Sequence, residues 1–297
     1  MVVSGMRRTI LTGVTLGAAG LLAGPMAGAL VANLRAVDGG TNATALASAA
    51  PIAGLAVTVG AIVIVAAVGT LSGWLVGGGR ALFAMGLVLL WPAVRSGAVE
   101  EMLRSDRSPG LMRSFAIESV ILGGLLALAA IATDRIGASI KRKRMRANGD
   151  SLPDVAPARK HAIDTALATT ASAVAMVFVS WLVAIEGLKG QTTAAGVIAG
   201  VAGGLMARLA GGEASRWTIV LAATAAAVFA PLWAIHLHGA DILQASYAGV
   251  LFPPARLAPL DWLAGSLVGG SLGWSWASSS LQREVDADAQ NFRRAPA

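Results

Sequence analysis

The feature that most constrains this chain is a series of long stretches without any charged residue. The longest of them contains the whole of Thr41 to Gly79, and shorter ones follow along the chain. A helix needs about twenty apolar residues to cross the hydrocarbon core of a bilayer, and it satisfies its own backbone hydrogen bonds there. Only 13% of the residues are charged, against roughly a quarter in ordinary soluble domains. The sequence therefore predicts an all-α fold, a polytopic transmembrane helical bundle.

Eight glycine-rich segments are suited to form spanning helices, namely 10–34, 52–76, 81–94, 115–132, 165–185, 191–207, 217–235 and 262–281. The third is short, but extension back through Gly77 gives it enough length, and Arg80 can then reach the interface. The expected organisation is a first four-helix membrane half at 1–133, a basic loop at 134–161, a second four-helix half at 162–281 and a polar tail at 282–297.

The basic residues indicate an orientation. Lys and Arg near membrane segments favour the cytoplasm, and eight crossings place 16 of the 23 basic residues on one side. Seven crossings, with 81–94 on the surface, would separate Arg7 and Arg8 from the basic loop. We therefore expect a multi-pass protein of the cell membrane with both termini in the cytoplasm.

The amino terminus leaves one alternative open. Arg7 and Arg8, an apolar run and the small residues at 27–29 also resemble a cleavable signal peptide. Cleavage would leave seven helices and move no other loop. We favour an uncleaved first helix, because the uncharged run continues to Leu34 and is long enough to span the membrane.

Composition and motifs argue against several functional classes. The chain has no cysteine, which excludes disulfides, thiol catalysis and cysteine-ligated metals. The glycine run at 77–79 lacks the Gly-Lys-Ser/Thr ending of a phosphate loop, and no catalytic triad or zinc-hydrolase motif is evident. We expect no enzymatic activity and no cofactor. The net charge of +7 fits anionic lipid headgroups at the 135–160 loop better than nucleic acid.

Glycine recurs at every fourth position in three segments. The stripes are Gly69, Gly73 and Gly77, then Gly196, Gly200 and Gly204, then Gly265, Gly269 and Gly273. This spacing places each set on one helix face, where small residues let two backbones approach closely. We interpret the stripes as packing within the chain, with a homo-oligomer contact or a sliding interface as alternatives.

Three groups of polar residues are candidate functional sites. Glu118 is the only carboxylate expected inside a span, which makes it a candidate for proton coupling. Thr165, Thr169, Ser172 and Ser180 share one face of the fifth span and can line a polar path, although hydrogen bonding within the bundle is the commoner role of such residues. His236, His238 and Asp241 are weak candidates for a metal site, since His-x-His on a helix points the rings apart.

Two functional hypotheses remain. The first is a membrane scaffold, accessory or assembly component with lipids and a second copy or another membrane protein as partners, which the scarcity of intramembrane polar groups favours. The second is a small-solute transporter or channel, with Glu118 as its coupling residue. A polar cavity near the midplane, reached by Glu118 or Thr169, would favour transport, whereas a closely packed, glycine-rich centre would favour the scaffold.

Overall fold

The computed structural model describes residues 2–40, 42–106, 108–147, 158–212 and 214–294. These residues form α-helices joined by turns, and no strand occurs among them. The prediction of an all-α, membrane-type helical bundle is confirmed.

Eleven α-helices follow one another in the described ranges. They are α1 (Val2–Ala18), α2 (Gly24–Val31), α3 (Pro51–Val76), α4 (Gly78–Arg95), α5 (Val99–Ser105), α6 (Gly110–Ala147), α7 (Ala158–Val183), α8 (Lys189–Ala210), α9 (Thr218–His238), α10 (Ile242–Tyr247) and α11 (Pro259–Arg294). A π-helical turn at Ala19–Ala23 joins α1 to α2, and short 3₁₀ turns lie at Gly239–Asp241 and Pro253–Arg256.

Seven helical stretches of the described chain are long and apolar enough to cross a membrane. They correspond to the first seven predicted segments, and the third begins at Gly78, as the extension through the glycine run predicts. The eighth predicted segment, 262–281, lies in α11. This helix is longer than a membrane crossing requires, but it is rich in serine and glycine and is not among the seven apolar stretches.

The bundle has two ends that differ in structure. The connections after α2, α4, α7 and α9 meet at one end, called here the loop end, where Arg256 donates hydrogen bonds to the carbonyls of Ala184 and Gly249. The short connections after α3 and α8 and the last turns of α6 meet at the other end, called the basic end. Gly137 of α6 packs there against Gly78.

Helix α11 occupies the centre of the bundle, and every residue from 254 to 271 is buried. It packs mainly against α8 and α4, which belong to different predicted halves of the chain. Neighbouring helices surround this stretch, and a serine hydroxyl within it bonds to its own backbone, as Ser266 does to the carbonyl of Leu263 at 2.8 Å. The surrounding helices thus keep the polar residues of this stretch away from lipid.

The glycine stripes lie where helices approach most closely. A β-carbon on Gly200 would overlap the carbonyl oxygen of Gly265, and one on Gly204 would overlap that of Gly270. Gly269 and Gly273 meet the carbonyls of Val197 and Val201 in the same way. Gly196 and Gly265 complete this α8–α11 contact.

The Gly69 stripe has different neighbours. Gly69 meets Met85 of α4, and Gly73 packs against Thr133 of α6. Gly77 was predicted to pack with them, but a β-carbon there would meet open space. It ends α3 with a φ of +97°, a conformation that residues with a β-carbon rarely adopt.

Two regions are helical beyond the predicted spans. The predicted polar tail is helical as far as Arg294, because its Glu, Ala, Gln and Arg residues favour a helix and no glycine or proline interrupts them before that point. Helix α6 likewise extends into the basic loop as far as Ala147. Residues 148–157 of that loop lie outside the described ranges.

Substitution of one buried and one exposed glycine tests the packing. Gly200→Ala should lower stability by about 1–3 kcal/mol, because the added methyl group meets backbone that cannot move aside. Gly124→Ala is the matched control, since a β-carbon there has open space around it and alanine is the better helix former by roughly 0.5–1 kcal/mol. Thermal unfolding in detergent measures both, and equal midpoints would contradict the packing.

Candidate functional site

A buried ion pair lies at the loop end, between the first residue of α8 and the first turn of α11. The ammonium of Lys189 donates to both carboxylate oxygens of Asp261, each at 2.8 Å. Asp261 is fully buried, whereas the Lys189 side chain is 17% exposed. The pair therefore has one face in the protein interior and one face that reaches the surface through the lysine.

Three further donors complete the surroundings of the Asp261 carboxylate. The hydroxyls of Thr192 and Thr193 donate to it at 3.2 and 2.8 Å, and the backbone N–H of Ala258 donates at 3.1 Å. A buried carboxylate is stable only when its oxygens are satisfied in this way. Its position in the first turn of α11 adds the favourable field of a helix amino terminus.

The lysine opens into a charged cleft of about 480 Å³. Helix α5 contributes Glu100, Glu101 and Arg104, and the α7–α8 connection contributes Glu186 beside Lys189. Arg104 and Glu100 form an ion pair at 2.9 Å, and the Arg104 guanidinium lies 5.5 Å from the centre of the Tyr247 ring.

Arg256 closes the floor of the cleft. Its guanidinium donates to the carbonyl oxygens of Ala184 at 3.3 Å and Gly249 at 2.8 Å. Burial lowers the pKa of Arg256, and the negative charge of Glu100 acts in the opposite direction. Arg256 therefore joins two connections of the loop end and presents a charge to the cleft.

Glu118 is wholly buried in α6 and does not line this cleft. Its Oε2 accepts the backbone N–H of Leu46 at 2.9 Å. Leu46 belongs to the connection after α2, which folds back over the bundle and also packs on Gly54 of α3. The observed contact of Glu118 is thus an anchor for this connection, and its proposed role in proton coupling stays a prediction.

The polar stripe of α7 packs against α8. Thr169 donates to the carbonyl of Thr165 at 2.8 Å, and Ser180 donates to that of Val177 at 2.9 Å. The hydroxyl of Ser172 is buried beside Gly203 of α8. Thr165, Thr169 and Ser172 do not line the charged cleft.

The histidine group lies at the loop end of α9. The ring of His236 is 5.1 Å from that of Trp233, and Asp241 lies in the following 3₁₀ turn. In the described parts of the chain, no three His, Cys, Asp or Glu residues are grouped closely enough to hold a metal ion. His236, His238 and Asp241 are therefore not brought together as a site.

A second arginine, Arg216, is half-buried at the basic end. The guanidinium of Arg216 rests on Gly79, where a β-carbon would overlap it. Burial lowers the pKa of Arg216, and the negative charge of Asp134 acts in the opposite direction. Gly79 thus makes room for a half-buried cation near the start of α4.

Sequence reasoning missed the Lys189–Asp261 pair. Both residues lie next to predicted spans, at 191–207 and 262–281, and neither was singled out as a candidate site residue. One signal was available. The predicted topology places the starts of these two spans at the same membrane face. Lys189 and Asp261 lie two residues and one residue before those starts, so their opposite charges are expected at a similar depth. Which helices are neighbours was the missing information.

Comparison with protein-family models, with curated proteins and with solved structures finds no match to this chain. The functional argument therefore depends on the residues described above.

Removal of one partner tests the buried pair. Lys189→Met should lower the free energy of unfolding by about 3–5 kcal/mol, because it leaves the Asp261 carboxylate buried without its cation. Arg104→Met breaks an exposed ion pair and should cost less than about 1 kcal/mol. The double variant Lys189→Met/Asp261→Asn should be more stable than Lys189→Met alone. Denaturation in detergent micelles measures all three, and similar losses for Lys189→Met and Arg104→Met would contradict the assignment.

Proposed function

We propose that the chain is a non-enzymatic multi-pass membrane protein that acts as a scaffold, accessory or assembly component. The carrying observation is the close backbone packing of α8 against the buried central helix α11, where glycines of each helix meet carbonyls of the other. A transport path through this contact would require the two helices to separate. Such packing suits a rigid body that holds its surface in a fixed shape.

The second support comes from the positions of the polar residues in the spans. Neither Glu118 nor Thr169 lines the charged cleft or the lateral apolar groove between α7 and α9. Their hydrogen bonds are made to backbone groups, at Leu46 and Thr165. The Glu118 bond ties the connection after α2 to α6, whereas the Thr169 bond satisfies a hydroxyl group within α7 itself.

The alternative is a small-solute transporter or channel, and one observation favours it. Glu118 is a carboxylate without solvent exposure in a helix that is long and apolar enough to cross the membrane, and such groups often mark proton paths. In that case Glu118→Gln would remove pH-dependent flux while leaving the fold intact, because glutamine keeps an acceptor for the N–H of Leu46.

Reconstitution separates the two functions. We expect vesicles containing the purified chain to show the same proton and solute leakage as empty vesicles. Chain solubilised from its own membrane in mild detergent should carry a stoichiometric membrane protein whose steady-state amount falls when the chain is deleted. Flux that Glu118→Gln abolishes would establish transport instead, and a chain that purifies alone, without effect on any other protein, would overturn the scaffold.

The orientation belongs to the same proposal. Basic residues gather at the basic end, where Arg80, Arg135, Arg142 and Lys143 lie with the last turns of α6, and such an end faces the cytoplasm in the usual arrangement. Both termini would then be cytoplasmic, in the cell membrane. Anionic headgroups would meet the residues around 135–160.

Single cysteines test this orientation in a chain that has none. Lys143→Cys and Leu188→Cys both place the thiol at exposed positions, at the basic end and the loop end respectively. A membrane-impermeant thiol reagent applied to intact cells should label position 188 and leave position 143 unlabelled until the membrane is opened. The reverse pattern would invert the topology.

A further inference from the structure

A lateral groove of about 510 Å³ opens between α7 and α9. Its walls are apolar and partly aromatic: Val174, Val177, Phe178 and Trp181 from α7, Phe229 from α9, and Phe252 at its end. Phe229 stacks against Trp233 at 5.5 Å and meets the edge of Phe252 at 6.3 Å. Val174, Phe178 and Phe229 are exposed, and both helices are long and apolar enough to span the membrane, so the groove faces lipid.

The groove has the length of one leaflet. From Ala173 to Trp181 the helix rises by roughly 12 Å at 1.5 Å per residue, which is a little less than half of the hydrocarbon core of about 30 Å. Trp181 and Phe252 lie at the end of the groove that is nearest to the loop end. The groove therefore fits the acyl chain of a lipid whose headgroup lies at the loop end.

The charged cleft begins where the groove stops. Leu251 and Ile185 line the cleft, whereas Phe252 and Trp181 line the groove. Leu251 and Phe252 are adjacent in the chain, and Trp181 precedes Ile185 by about one helical turn. The hydrogen bond from Arg256 to Ala184 lies at this junction, so a single amphiphilic molecule can occupy both cavities.

The cleft offers groups of both charges. Lys189 and Arg256 are held at its floor by bonds to Asp261 and to backbone carbonyls. The guanidinium has five N–H donors, and those bonds account for two of them. Glu101 and Glu186 line the exposed part of the cleft and form no ion pair with another described residue. The cleft thus has cations at its floor and carboxylates nearer the surface. This arrangement is complementary to a lipid headgroup in which a phosphate carries an ammonium group.

We propose that the cleft and the groove together bind one zwitterionic phospholipid. Its phosphate contacts Arg256 and Lys189, its amine contacts Glu101 and Glu186, and one acyl chain fills the groove between α7 and α9. The site requires only that α7 and α9 face the bilayer, so it is independent of the choice between scaffold and transporter. A lipid with a phosphate but no amine would place a negative charge near the carboxylates of Glu101 and Glu186, with no ammonium group to offset the repulsion.

Native mass spectrometry with defined lipids tests the assignment. Protein stripped with detergent is mixed with phosphatidylethanolamine or with phosphatidylglycerol carrying the same acyl chains. We expect one phosphatidylethanolamine per chain, bound about tenfold more tightly than phosphatidylglycerol, the ratio that a difference of about 1.4 kcal/mol produces. Equal affinities, or no retained lipid, would overturn the proposal.

Two variants separate the headgroup from the tail. Glu101→Gln/Glu186→Gln should abolish the preference for phosphatidylethanolamine, with unfolding unchanged because both side chains are exposed. Ala173→Phe fills the groove and should weaken both lipids by roughly tenfold, whereas Ala194→Phe, at an exposed position of α8, should change neither. Equal weakening by Ala173→Phe and Ala194→Phe would show that the groove is not the binding site, and a protein segment cross-linked into the cleft would assign it to a protein partner.

Discussion

The rest of the structure depends on the direct backbone contact between α8 and α11. Lipid supplies no hydrophobic force that drives apolar helices together, so close approach and many weak contacts must hold them. Gly200 and Gly204 face the carbonyls of Gly265 and Gly270, and no larger residue fits at this distance. The contact fixes α11 in the centre, and the other helices pack around it.

This contact also positions the buried ion pair. Gly196 meets the backbone carbonyl of Asp261, and Thr192 and Thr193, one turn earlier in α8, donate to the carboxylate of the same residue. Lys189 begins the helix and reaches the carboxylate from outside. A charge can be buried here because the packing below holds every donor at its place, so the stability of the pair and the geometry of the packing are coupled.

Some local features followed from the sequence, and others did not. The predicted extension of the third span is confirmed as far back as Gly78, since hydropathy is a local property, whereas Gly77 separates that helix from α3. Glu118 lies within about one turn of the start of the predicted span 115–132, so the sequence alone did not decide between a buried and a solvated carboxylate. It is buried, because the connection after α2 folds back and places the N–H of Leu46 against it. This fold-back depends on contacts between residues that are far apart in the chain. The same is true of the charged cleft, which is formed by α5, the α7–α8 connection and Arg256.

The sequence by itself determined the class of the fold and the positions of the spanning helices, because the cost of placing a charge or an unpaired backbone group in hydrocarbon is paid residue by residue. It also determined which helix faces could approach closely, through the spacing of glycine. Only the tertiary structure decided that α11 is central and that Lys189 pairs with Asp261, and only there do the cleft and the groove meet at the loop end. These features arise from which helices become neighbours, and that choice is made by the packing of all the helices together.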